Sequence, residues 1–357
     1  VIGRTIGNRY KIRQKLGSGT IAWSYLADDL TTGVPVVIKV LYPQYAEDMA
    51  YAQRFIREAR LAMSLPPEPH LVRVLGYGSD QDIRYLVVLY VEGRDVKRLL
   101  EENGPFGEGQ VLDVAVQVAE ALEHLAKQGV VHCDLKPQNL IIGPTGLVQL
   151  TDLGLARSDA LPSLTQTGIV GSLYYISPEQ AMGMHTDIRS SIYSLGIILY
   201  EMLAGVPPFS ASTPWAIVNM HISGQFIPLR QRRADVSEDV SWLIEKAAAR
   251  AVQDRFQTPT ELREAAAWIA NERRAALGRP TGPAGAPAKP RPITEEDQEL
   301  RRRRERAMAL YGQGLLHFGA REWAAAQTLL TEVAELVPGY QDTDRLLALI
   351  KERLAEK

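Results

Sequence analysis

His132-Cys133-Asp134-Leu135-Lys136-Pro137-Gln138-Asn139 is the stretch on which the reading of this chain turns. Asp134 and Asn139 bracket Lys136 in a short loop, entered from the apolar Val130-Val131 and left through the apolar Leu140-Ile141-Ile142. A carboxylate, an ammonium and an amide are gathered between two segments that want to be buried.

Upstream of that loop, residues 10 to 90 read mainly as strands. Tyr10 to Leu16, Trp23 to Asp28, Val34 to Leu41 and Tyr85 to Tyr90 are rich in β-branched and aromatic residues, with turn signals such as Thr32-Gly33 between them. One stretch, Ala46 to Leu65, carries Phe55, Ala59, Ala62 and Met63 at helical spacing, which predicts one amphipathic helix on the sheet. Downstream, Gly109 to Gln128, Ile188 to Ala204, Trp215 to Ser223 and Ser237 to Arg250 have helical periodicity. The expected architecture is α+β: a small β-rich lobe, then a larger helical one. GRPTGPAGAPAKPRP, from Gly278 to Pro292, has almost nothing to bury and reads as a linker. Beyond it the composition turns helical again, with a break at Pro338-Gly339, so a small all-α module is expected at the C-terminus.

Charge and cysteine content narrow the function classes. Across 357 residues, 40 Lys and Arg balance 42 Asp and Glu, so the chain has no global field to attract nucleic acid or an anionic membrane. Arg301-Arg302-Arg303-Arg304 is followed by Glu305 and preceded by Glu295, Glu296, Asp297 and Glu299, which reads as a solvated helix face. The single cysteine, Cys133, rules out an internal disulfide framework, and the histidines show no zinc-site spacing. No apolar run is long enough to span a bilayer, and Val1-Ile2-Gly3-Arg4 lacks the pattern of a signal peptide. A cytoplasmic setting is expected, with a membrane segment outside this stretch left open.

Further motifs stand in order along the chain. Leu16-Gly17-Ser18-Gly19-Thr20-Ile21-Ala22-Trp23-Ser24 puts glycines between two strands, where backbone can approach phosphate closely. By itself this pattern is more often an ordinary hairpin. Val36-Val37-Ile38-Lys39 sets a lysine in an apolar strand, where its charge calls for a partner; Glu58 in the following helix offers one, although a surface Lys and a surface Glu would read the same way. Together with the loop from His132 to Asn139, then Asp152-Leu153-Gly154 thirteen residues after Asn139, and Ser177-Pro178-Glu179, these motifs resemble the protein kinase family, in particular its bacterial Ser/Thr branch. The resemblance covers Tyr10 to about Ala270. It implies a bilobal fold with a lead at 1–9, an N-lobe at 10–92, a C-lobe at 93–275, a linker at 276–293 and the helical module at 294–357.

The resemblance also assigns roles. It implies transfer of the γ-phosphoryl of ATP, with Mg²⁺, to Ser or Thr hydroxyls of a protein substrate. Asp134 would take the hydroxyl proton, and Lys136 would balance charge on the transferring group. Lys39, held by Glu58, would neutralise the α- and β-phosphates beneath Gly17, Ser18 and Gly19. Asn139 and Asp152 would ligate Mg²⁺. Leu16, Ser24, Val37 and Ile141 would enclose adenine, with the Tyr90 and Val91 backbone at its edge. Ser158, Ser163, Thr165 and Thr167 would lie in an activation segment, with Thr165 and Thr167 at its phosphorylation positions. Gly171-Ser172 would help seat the acceptor, and Glu179 would pair with Arg255.

Several positions depart from the family pattern. Ala22 replaces a glycine, and Leu153 a phenylalanine. Ser24 and Val37 stand where Val and Ala are usual, a swap that shifts volume from one wall of the adenine site to the other. Ser191 replaces an Asp that accepts hydrogen bonds from the catalytic-loop backbone, so a looser loop is expected. Cys133 replaces the Arg that binds activation-segment phosphate. These departures keep a second class open, a pseudokinase scaffold that binds nucleotide or proteins with little turnover. In the tail, Leu310, Gly314, Ala326, Leu330 and Pro338 resemble one tetratricopeptide-type repeat, with His317 where an aromatic is common; a lone repeat implies a docking partner.

Overall fold

The computed structural model describes residues 1–19, 21–152, 173–211, 213–224, 226–278, 303, 306, 310, 317, 322–336, 338 and 343–355. Expectations made for Thr20, Leu153, Gly154, Ser158, Ser163, Thr165, Thr167, Gly171, Ser172, Gly314, Arg301-Arg302, Arg304-Glu305 and most of the linker lie outside them.

The strand-forming residues of the first ninety positions build one antiparallel sheet: β1 Thr5–Ile6, β2 Tyr10–Ser18, β3 Ala22–Asp29, β4 Pro35–Leu41, β5 Val74–Asp80 and β6 Ile83–Leu89, in the order β1-β2-β3-β4-β6-β5. Residues 1–9, read from sequence as a lead, therefore include an edge strand. Period-two alternation sorts β4: Val36, Ile38 and Val40 are buried in a core with Ile12, Tyr25, Ala27 and Val87, while Val37 and Lys39 face the other way. The helix expected over Ala46 to Leu65 is two helices, α1 Pro43–Glu47 and α2 Met49–Ser64. Asp48 divides them because its carboxylate accepts from the Ala50 and Tyr51 amides and starts a new helix. From α2, Ala52, Phe55 and Ala59 are buried, a single apolar stripe.

The helical lobe comprises α3 Val96–Asn103, α4 Glu108–Lys127, α5 Pro178–Ala181, α6 Ile188–Ala204, α7 Pro214–Ser223, α8 Leu229–Arg232, α9 Glu238–Ala247 and α10 Pro259–Gly278. Every residue of α6 from Ser190 to Leu203 is buried, so this helix is the post around which the lobe is assembled. A small sheet, β7 Arg94–Asp95, β8 Leu140–Ile142 and β9 Val148–Leu150, lies in that order on this lobe. The β8–β9 pair fixes both ends of what matters chemically: β8 leaves the loop ending at Asn139, and the Thr151 amide after β9 donates to the Asn139 carbonyl at 2.9 Å.

The chain divides into two compact units, Val1–Arg279 and Pro280–Lys357. In the second, α11 Trp323–Leu336 and α12 Thr343–Ala355 pack together through Ala326, Leu330, Val333, Leu346 and Ile350. Among the described residues no helix is long and apolar enough to cross a membrane.

Candidate active site

Pro137–Asn139 forms one 3-10 turn, and this turn folds the loop back on itself. Asn139, buried, donates from Nδ2 to the Asp134 carbonyl at 2.9 Å, which leaves its Oδ1 as an acceptor. Lys136 Nζ lies 2.6 Å from Asp134 Oδ2, and both side chains are largely shielded from solvent. The sequence-predicted trio is thus brought together: a carboxylate with an ammonium beside it and an amide oxygen five residues on.

Two side chains from the helical lobe hold the loop's backbone. Ser191 Oγ, on α6, donates to the His132 carbonyl at 3.1 Å, and Gln180 Nε2, on α5, donates to the Cys133 carbonyl at 3.0 Å. The expectation for Ser191 needs correcting in kind. The hydroxyl does not stand in as a weak acceptor; it is a donor to a carbonyl, a bond no carboxylate could make. Gln180 escaped the sequence reading, although Ser177-x-x-Gln180 is a capping-box spacing that could have flagged it. Both halves of that box are formed, with Ser177 N to Gln180 Oε1 at 3.1 Å and Gln180 N to Ser177 Oγ at 3.3 Å. His132 is buried, and burial outweighs the nearby Asp134 charge to push its imidazole down to about 4, so it is neutral. Cys133 Sγ lies 3.6 Å from the Val131 carbonyl.

Behind the loop, Arg255 grips Glu179 in a bidentate pair at 2.7 and 2.9 Å, as expected from the sequence, and Ser190 Oγ adds a third bond at 2.5 Å. Burial alone would raise the Glu179 carboxyl. Hydrogen bonds and charge from Arg255, with Ser190, overcome it and hold the group below the usual value.

The sheet lobe supplies the opposite wall. Cross-strand registry sets Gly17, Ser24 and Lys39 in one row and Leu26, Val37 and Val88 in the next, so Ser24, Val37 and Lys39 share the half-buried face of the sheet. Leu26, which the sequence reading passed over, belongs to that face; its signal was the alternation along β3. Leu16 and Ser18 sit on β2, Leu16 exposed, and the Gly19 amide closes the turn onto the Ala22 carbonyl at 2.8 Å. Tyr90 and Val91 follow β6, with the Tyr90 amide 3.4 Å from the Pro35 carbonyl, and Ile141 lies in β8.

Lys39 and Glu58 do not pair as expected. Lys39 Nζ forms its ion pair with Asp152 Oδ1, and Glu58 Oε1 is buried with no hydrogen-bond partner among the described residues. Burial, which Arg54 and Arg57 only partly oppose, pushes the Glu58 carboxyl up to about 7. Burial and then the Lys136 charge push the Lys39 ammonium down to about 7. The pairing expected from sequence fails for a tertiary reason: Asp152, not Glu58, lies within reach of the ammonium, and Asp152 is carried at a left-handed backbone position, φ 58°. Among the described residues no group of three or more His, Cys, Asp or Glu could hold a metal ion unaided. Asp152 and the free oxygen of Asn139 are two hard oxygen donors, which suits a cation that takes its remaining ligands from water and phosphate.

The model of the protein kinase domain family matches residues 10–267. The chain is 35% identical over 263 residues to the serine/threonine-protein kinase PrkC of Bacillus subtilis, covering 73% of this chain and 40% of that protein. It is 35% identical over 265 residues to PknB of Mycobacterium tuberculosis, covering 72% and 42%. It thus spans about two fifths of the length of the curated relatives it matches. Among solved structures, the kinase domain of M. tuberculosis PknI superposes with a TM-score of 0.59 at 26% identity, over 77% of this chain and 99% of that one.

Proposed function

The chain belongs to the protein kinase family, and we propose that it transfers the γ-phosphoryl group of ATP to Ser or Thr hydroxyls of proteins, its own included. The observation that carries this reading is the geometry around Asp134: carboxylate and Lys136 ammonium 2.6 Å apart on a loop that Asn139 closes from within. Asp134 accepts the proton of the attacking hydroxyl and aims its oxygen at the γ-phosphorus. Lys136 balances charge on the transferring group from the same side. Lys39 meets the α- and β-phosphates, with backbone amides at Gly17, Ser18 and Gly19 above them. Adenine lies against Leu16, Ser24, Val37 and Ile141, with the Tyr90 and Val91 backbone at its edge. Asp152 and Asn139 would hold Mg²⁺, which supplies neutralisation of phosphate charge. The Ser/Thr acceptor is supported by Lys136 and by the relatives' names. The helical tail is assigned to docking a protein partner, and the setting to the cytoplasm.

A second reading, a nucleotide-binding scaffold with little turnover, is favoured by the same Lys39–Asp152 pair, which leaves Glu58 Oε1 without a hydrogen-bond partner among the described residues. Incubation with radiolabelled ATP and Mg²⁺, with phosphoamino-acid analysis, separates the two. Label on Ser or Thr that falls about 100-fold or more in Asp134→Asn and in Lys39→Met supports the kinase. Equal label in all three rejects it.

A further inference from the structure

Tyr42 lies three residues beyond Lys39, just past the end of β4, and none of the roles above uses it. It is tied to the glycine turn twice. Its amide donates to the Ile21 carbonyl at 2.9 Å, and its hydroxyl reaches across to the Gly19 carbonyl at 2.7 Å. The second bond is long-range and specific, because only a side chain of this length with a terminal donor can make it from the strand that carries Lys39.

The ring is held in place as firmly as the hydroxyl. Trp23 meets it edge-on, with centroids 4.6 Å apart and planes at 71°, and Tyr45 follows at 6.2 Å. Tyr45 in turn lies 4.7 Å from Tyr51, over which the Arg54 guanidinium sits at 5.7 Å. Aromatic pairs of this kind add attraction beyond simple burial. Four rings therefore run from the glycine turn to the first turn of α2, and Tyr51, Phe55 and Glu58 are spaced to lie on one face of that helix.

We propose that Tyr42 is a positioning residue for the nucleotide's phosphates. A turn that offers amides to anionic oxygens has to keep its carbonyls from turning toward them, since each carbonyl oxygen carries partial negative charge. By engaging the Gly19 carbonyl, Tyr42 fixes the orientation of the crest of the turn relative to Lys39, so that backbone donors and ammonium converge on the same phosphates. This rests on the reading that the turn at Gly17–Gly19 covers phosphate, and it adds to that reading a residue and a chemical specificity: Tyr42 acts on the charged end of the ligand and not on the base.

Calorimetric titration of the full chain and of Tyr42→Phe, with Mg·ADP and separately with adenosine, tests it. Phenylalanine keeps the ring in its aromatic row and removes only the donor. Loss of one neutral hydrogen bond predicts that Mg·ADP binds about threefold to tenfold more weakly, with adenosine unchanged. Trp23→Leu, which loosens the ring from the other side, is expected to show the same selective loss. An unchanged Mg·ADP affinity in Tyr42→Phe, or equal weakening for both ligands, overturns the proposal. A wild-type chain that binds neither ligand rejects this proposal together with the nucleotide reading. If the wild-type chain binds Mg·ADP but transfers no phosphate, only the kinase reading fails, and the selective loss in Tyr42→Phe still decides this one.

Discussion

Glu179 and Glu58 are both carboxylates carried on helices and withdrawn from solvent, yet the two lobes treat them in opposite ways. In the helical lobe Glu179 has two bonds from Arg255 and one from Ser190, and its acidity is held below the ordinary value. Nearby, buried Glu201 is met by Lys97 at 3.0 Å and by the Tyr175 hydroxyl at 2.6 Å. In the sheet lobe Glu58 has an orphaned oxygen and is pushed up to about 7. In the helical lobe these two buried carboxylates are satisfied without a ligand, and the buried side-chain atoms there without a partner among the described residues are ring nitrogens of His124, His132 and His221. The sheet lobe keeps one carboxylate acceptor in reserve while its lysine is engaged by Asp152, an arrangement that costs stability and makes sense where a ligand is to complete it.

Four substitutions would break or sharpen that contrast. The largest effect belongs to Arg255→Met, which leaves Glu179 buried without its guanidinium; urea unfolding should show a loss of about 3–5 kcal/mol. Next is Glu58→Gln. Because the folded-state pKa of Glu58 is raised, its contribution to stability is fully present below the unfolded value near 4.5 and is lost as pH rises through about 7. The glutamine variant should therefore gain on the order of 2 kcal/mol over wild type at pH 8 and almost nothing at pH 4, in unfolding curves taken across that range. Ser191→Ala strands the buried His132 carbonyl and should lower stability by about 1 kcal/mol in the same assay. Smallest is Val37→Ala, which would enlarge the wall proposed for adenine; ATP affinity should weaken by about twofold to fivefold, and an unchanged or tighter affinity would remove Val37 from that proposed wall.

Most of the fold and the catalytic-loop trio were legible in the sequence, and the exceptions, Glu58 among them, have physical causes. The trio Asp134, Lys136 and Asn139 is packed into six residues, so local geometry nearly dictates its proximity. The Glu179–Arg255 pair, 76 residues apart, became readable only through a family resemblance. Four of the six main-sheet strands announced themselves by β-branched residues. β5 did not, because Val74–Asp80 contains Gly76 and Gly78; at Gly78 a Cβ would come 2.5 Å from the Tyr85 hydroxyl, so tertiary packing demanded a glycine that strand propensity disfavours. β1 has only two residues between glycines, and α3 only eight, too little for periodicity to show. The partner of Lys39 was misjudged because sequence can say that a buried ammonium needs an anion but not which of two carboxylates will reach it. Ser191 was found but its direction was not, since a hydroxyl both donates and accepts and only the position of the His132 carbonyl decides.

The claim that the sheet lobe waits for its ligand is tested most directly by the titration of Glu58 itself, followed through its side-chain carboxyl carbon by NMR and assigned with Glu58→Gln. In the free chain the carboxyl should titrate near 7. With Mg·ADP bound, Lys39 should be released from Asp152 to lie between phosphate and Glu58, and the carboxyl should fall toward the ordinary glutamate range near 4.3. A carboxyl that still titrates near 7 in the saturated complex would mean that Glu58 never receives the lysine, and the account of an unfinished half completed by nucleotide would be wrong.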